Sequence, residues 1–144
     1  MLKGIPSLLS PDLMHALLSM GHGDEIVLAD GTFPGPSHAK RLIRADGRGV
    51  CALLEAIVRF LPLDAFVEDH AVVMAVVDPK APEPPIWEEF RRILAHGEGS
   101  AVDLTAIERD AFYERARRAY CIVATSEKAL YANLLLKKGV VQEA

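Results

Sequence analysis

Apolar positions along the chain follow two rhythms, one helical and one of short unbroken runs. Leu13, Met14, Leu17 and Leu18 recur at helical spacing behind Ser10-Pro11-Asp12, which places an N-cap serine, a proline at the first helical position and an acid in the first turn; Gly21 stops the helix. Ile26 to Ala29 is a compact apolar run, the pattern of a buried strand. Gly31 to His38 carries two prolines and two glycines in eight residues, which excludes regular structure. Leu42-Ile43 is a short apolar step before the turn Ala45-Asp46-Gly47. Val50 to Leu61 is helical, with Leu53, Leu54, Ile57, Val58 and Leu61 on one face and Pro62 at its end. Ala71 to Val77 reads as a central strand, and the four prolines of 78–85 as an extended surface loop. Ile86 to Ala95 is an amphipathic helix that Gly97 terminates, and Val102 to Ile107 is a further strand. Arg109 to Ala119 is a charged helix, Tyr120 to Ala124 a buried strand and Tyr131 to Leu136 the last strand.

Helices and buried strands therefore alternate. That pattern predicts an α/β fold: a single layered domain over 1–144 with a mainly parallel sheet flanked by helices. Tyr131 and Asn133, two apart on the last strand, are expected to point to the same face.

Composition narrows the class. A hydrophobic fraction of 51% in 144 residues supports one real core and rules out a disordered chain. The net charge of -4, with acids dispersed, offers no field for nucleic acid. No apolar run approaches the roughly 18 residues of a membrane span, and no leader-type h-region opens the chain. Cys51 and Cys121 each sit inside an apolar stretch and read as buried free thiols of a reducing, cytoplasmic compartment.

The candidate chemistry centres on Gly21-His22-Gly23-Asp24-Glu25 and on Asp30. Glycines on both sides let the backbone bend around the imidazole. Asp30 stands where the strand ends, and sites in open α/β sheets collect at strand ends. On residues alone, His22 is either a general acid/base or a turn histidine bonded to backbone, and Asp30 either a ligand group or the opening of an Asx-turn. A metal set of His22, Asp30 and His38 is chemically conceivable, but the spacing matches no metal motif. Nucleotide fingerprints, a Walker lysine and a nucleophile elbow are all missing.

Several stretches together carry a resemblance. Gly21-His22-Gly23-Asp24-Glu25, Asp30 with Phe33-Pro34, Ile43-Arg44-Ala45-Asp46-Gly47, Phe112-Tyr113-Glu114-Arg115-Ala116 and Tyr131-x-Asn133-x-Leu135-Leu136-Lys137-Lys138-Gly139-Val140 resemble the ribose pyranase / L-fucose mutarotase family, nearest its fucose branch. The resemblance implies an isomerase that needs neither metal nor cofactor. It implies His22 as the catalytic residue and Asp30, Arg109 and Tyr131-Ala132-Asn133 as substrate-binding positions for a monosaccharide. It also implies ring-like homo-oligomers, commonly decamers, with sugar sites close to subunit contacts. The chain departs from the family in carrying Ser126 and Ala132 where glycine is usual. The chemistry implied is ring opening and reclosure of a hemiacetal by proton transfer. A sugar-binding protein without catalysis, and a metal-assisted hydrolase on His22, Asp30 and His38, are the competing readings.

Overall fold

The computed structural model describes residues 1–143. Eleven elements succeed one another: α1 (Pro11–Ser19), β1 (Glu25–Ala29), α2 (Gly35–His38), β2 (Leu42–Ala45), α3 (Val50–Ile57), β3 (Ala71–Met74), α4 (Pro85–Glu98), β4 (Thr105–Ile107), α5 (Arg109–Arg118), β5 (Cys121–Thr125) and β6 (Leu134–Lys137). The strands form one sheet in the order β2-β5-β1-β6-β3-β4. Every neighbouring pair is parallel except the two that β6 makes, with β1 and with β3. The predicted α/β class and the mostly parallel sheet are both present, with one antiparallel strand set into the middle.

Strand alternation explains the unbroken apolar runs. Ile26 and Leu28 face a core shared with α1, α3 and α4, while Val27 and Ala29 face a second core beneath α5. Leu134 and Leu136 join the first core and Leu135 the second. A sheet covered on both faces has no polar side to give, so its central strands read as continuous hydrophobic runs.

The start of α1 matches the sequence reading, since the Ser10 hydroxyl caps it as expected, accepting from the Leu13 amide at 3.2 Å; several other elements are shorter or shifted, among them α3, which ends at Ile57, β3, which ends at Met74, and β4, which starts at Thr105. The 31–38 loop contains one short helix, α2, and the 42–43 step grows into β2, held in register by β5. Gly97 does not end α4. It lies inside the helix, and Gly99, left-handed at φ 78°, is the terminator. Finally, β6 begins at Leu134, so Tyr131 and Asn133 precede the strand and do not share a strand face.

Gly97 is instead a packing residue. A Cβ there would lie 2.8 Å from Val58 Cβ at the end of α3, closer than side chains approach. The G97A variant gains helix propensity but must push α4 from α3. The expected net loss is about 1 kcal/mol, read as a melting temperature lower by a few degrees. An unchanged or raised melting temperature would show that Val58 yields freely.

Candidate functional site

The sheet has two ends, and the predicted site residues divide between them. Parallel β1, β2, β3, β4 and β5 all finish at one edge, where β6 starts. Asp30, Arg109 and Tyr131-Ala132-Asn133 all lie at that edge. His22 lies at the other, in the turn before β1. The five steps from Glu25 to Asp30, at about 3.3 Å each, separate the two edges by about 16 Å. A sugar cannot touch His22 and Asp30 of the same copy at once.

At the first edge Asp30 is held from both sides. Asn133 accepts the Asp30 amide through Oδ1 at 2.7 Å and donates from Nδ2 to Asp30 Oδ2 at 3.2 Å. Thr32 donates its amide and its hydroxyl to Asp30 Oδ1, at 3.0 and 3.1 Å, which is an Asx-turn. Asp30 therefore opens the turn and also has its carboxylate fixed at the rim of a hollow shared with Thr32, Arg44, Ser126 and Glu127. Asn133 is buried and occupied with Asp30. Its occupation in this structure is to orient that carboxylate.

Tyr131 is the one non-glycine residue with positive φ among those described, at 56°. Such a backbone costs on the order of 1–3 kcal/mol and persists only where neighbours impose it. Trp87 donates from Nε1 to the Tyr131 carbonyl at 2.9 Å, and the Val77 amide donates to the Tyr131 hydroxyl at 3.3 Å. Tyr131 thereby lines an apolar cleft of about 630 Å³ with Val76, Pro85 and Ile86, and Glu127, Ala129 and Leu130 border both this cleft and the polar hollow. The methyl of Ala132 is fully buried in the core, so it faces no ligand. Arg109 opens α5, exposed, in a separate hollow with Val76 and Val77. Val77 thus touches both Tyr131 and the Arg109 hollow.

At the opposite edge His22 is half exposed. Its Nε2 lies 3.2 Å from Oδ1 of Asp64, whose side chain is only 6% exposed. The Phe66 amide donates to the same oxygen at 3.0 Å. That amide chiefly, with His22 adding to it, holds the Asp64 carboxyl below the usual carboxylate range. Asp64 was not among the sequence candidates. It stands 42 residues from His22, and no spacing rule joins the two.

The acids next to His22 in sequence turn elsewhere. Asp24 accepts the Gly21 amide at 2.7 Å and closes the turn. Glu25 is paired with Arg115, its Oε2 receiving Arg115 Nη2 at 2.6 Å while Asp69 takes Nη1 at 2.9 Å. The charged helix is therefore tied down through Arg115 and is not a purely solvated face.

The metal triad does not converge. His22 and Asp30 sit at opposite sheet edges, and His38 packs against Tyr113 and Phe33 with Arg117 at 3.1 Å. Among the described residues no group of three His, Cys, Asp or Glu side chains could hold a metal ion. Both thiols are free, and burial pushes each up to about 12, in Cys51 with help from Glu89; neither is a nucleophile at neutral pH. No helix among the described residues is long and apolar enough to cross a membrane.

Known proteins share this arrangement over nearly the whole chain. Residues 3–141 match the RbsD / FucU transport protein family. Fucose mutarotase of Homo sapiens is 51% identical over 146 residues, covering 97% of this chain and 94% of the relative. L-fucose mutarotase of Haemophilus influenzae is 44% identical over 140 residues, covering 97% of each. The crystal structure of fucose mutarotase from Streptococcus pneumoniae in complex with L-fucose superposes with a TM-score of 0.91 at 46% identity, covering 98% of this chain and all of that one.

Proposed function

The chain belongs to the RbsD / FucU transport protein family, and from that premise we propose that it is a fucose mutarotase, an isomerase that interconverts the anomers of L-fucose by general acid/base catalysis. The observation that carries the proposal is the near full-length identity to fucose mutarotases, one of them captured with L-fucose. The geometry supports the same sugar. Asp30 at a polar rim suits ring hydroxyls, and the cleft beyond Tyr131 suits an apolar substituent such as the C6 methyl of a 6-deoxy sugar.

Mutarotation breaks the bond from C1 to the ring oxygen and remakes it on the other face. His22 takes the proton from the anomeric hydroxyl while the ring oxygen gains one from water. The reverse transfer closes the ring. Asp30 accepts from sugar hydroxyls, with Asn133 keeping it in place, and Tyr131 and Arg109 fix the remaining ones. Holding the sugar in one pose supplies the orientation part of the rate.

The separation of the two edges supports a site shared between copies. One copy contributes His22 and its neighbour contributes Asp30, Arg109 and Tyr131. An interface that joins opposite edges is head-to-tail, the type that closes into rings. Where the rotation closes, this reading gives ring-like homo-oligomers with L-fucose seated between copies.

Two measurements test this. Exchange between anomers, monitored by saturation-transfer NMR, should be accelerated for L-fucose above L-galactose, its 6-hydroxy counterpart, whose C6 hydroxyl would enter the apolar cleft unpaired, and above D-galactose and D-ribose. A protein that binds fucose and leaves its exchange at the buffer rate is a binder, and the mutarotase proposal falls. The shared site is tested by co-assembling His22→Ala and Asp30→Ala chains, each inactive alone. Random 1:1 assembly of a head-to-tail interface leaves about one site in four with both native residues, so about a quarter of the native rate should return. If none returns, the site does not lie between copies.

A further inference from the structure

A half-exposed histidine does not need a buried carboxylate to be stable, yet His22 has one. Its partner lies on the segment between α3 and β3 and is fixed from three directions. The Asp64 amide donates to the Lys137 carbonyl at 3.0 Å. The Phe66 amide donates to Asp64 Oδ1. His70 Nδ1 lies 2.8 Å from the Asp64 carbonyl and 3.0 Å from that of Val67, tying the segment to itself. The exposed Phe66 ring then stands against the imidazole, centroids 5.7 Å apart and tilted by 53°. The result is a carboxylate placed by backbone and an imidazole placed by the carboxylate.

We propose that Asp64 is the positioning residue for His22, holding the imidazole by Nε2 so that Nδ1 is the nitrogen presented to the sugar. The inference rests on the mutarotase reading for what Nδ1 does, but the contact itself does not. An ionised carboxylate only accepts, so the neutral imidazole carries its hydrogen on Nε2 and its lone pair on Nδ1. Without Asp64 both tautomers and several ring rotamers become available, and the fraction competent to take the anomeric proton falls. The other charged or titratable groups near the pair are Lys137, whose charge acts on Asp64, His70, engaged with two carbonyls, and Asp24, engaged with the Gly21 amide.

The test combines imidazole nitrogen NMR with exchange kinetics in native protein, Asp64→Ala and Asp64→Asn. Native His22 in its neutral form should show the Nε2-protonated tautomer. Asp64→Ala should show a mixture and lose about 10- to 100-fold in kcat, with KM within about twofold, because the imidazole is misplaced while the sugar contacts at the other edge are intact. Asp64→Asn keeps an oxygen for both the Phe66 amide and His22 Nε2, so it should fold as the native protein does and recover most of kcat. A native Nδ1-protonated tautomer, or an Asp64→Ala variant with native tautomer and native kcat, overturns the proposal. If His22→Ala itself retains the native rate, the mutarotase role of His22 fails, and the tautomer measured in native protein still decides whether Asp64 sets the ring.

Discussion

Replacing His22 by alanine is expected to slow catalysed exchange of the L-fucose anomers by about 10²- to 10⁴-fold, the range that one positioned acid/base supplies. Nothing at that edge substitutes for it. His70 is half buried and its Nδ1 is committed to two carbonyls. Asp64 would remain, but its carboxyl lies below the usual range, which makes it a poor base. The fold should not feel the change. The His22 side chain is 48% exposed and Asp64 keeps the Phe66 amide, so the loss of stability should stay within about 0.5 kcal/mol, as for most surface positions. An inactive protein with a native melting temperature is the expected result. A variant that exchanges fucose at the native rate would move the chemistry to the Asp30 edge.

The elements that were legible in the sequence are those whose signals are local. Ser10-Pro11-Asp12 starts α1 by capping chemistry that needs no partner. The runs that became β1, β3 and β5 announced themselves because both faces of the sheet are covered. Local signals failed where tertiary contacts decide. Tyr131 looks like a strand residue by its neighbours, yet Trp87 and Val77 hold it left-handed ahead of the strand. Gly97 looks like a stop by its type, yet the close approach of α3 is what requires it.

The site shows the same division. Asp30 at a strand end was readable because β1 was readable, and the pairing with Asn133 arises from β6 lying antiparallel beside β1. Asp24 and Glu25 gained weight as neighbours of His22 merely by adjacency, and alternation along the chain sent them to the Gly21 amide and to Arg115. That His22 and Asp30 lie at opposite edges was implicit in the length of β1, because a strand holds the residues at its start apart from those at its end. The resemblance named residues at both edges and implied sugar sites close to subunit contacts, but it did not say which residues stand at which edge. Asp64 carried no signal at all, since its pairing depends on where the segment after α3 crosses the end of β6.

That crossing makes Gly139 the position where a single methyl should do the most damage. The Gly139 amide donates to the Pro62 carbonyl at 2.8 Å, and Leu63 bridges to Lys138. A Cβ on Gly139 would lie 2.3 Å from the Leu63 carbonyl oxygen and 2.8 Å from the Asp64 Cα. All the atoms it meets are backbone, so no rotamer change relieves the contact, unlike the Val58 side chain that faces Gly97. The 62–64 segment must move away from β6, giving up the Gly139 and Asp64 amide bonds. With both lost and their groups partly unpaired, the G139A variant should be destabilised by about 3 kcal/mol. It should also lose kcat beyond what stability explains, because the displaced residue is the one that holds His22. Gly23→Ala is the informative comparison: it lies next to His22 at φ 88° with open space around it, so it strains the turn by about 1 kcal/mol without touching Asp64. If G139A folds with native stability and turns over fucose at the native rate, then neither the crossing nor the placement of Asp64 governs the imidazole. If it loses kcat while Gly23→Ala keeps most of it, the glycine of the Lys137-Lys138-Gly139 stretch serves catalysis through the backbone.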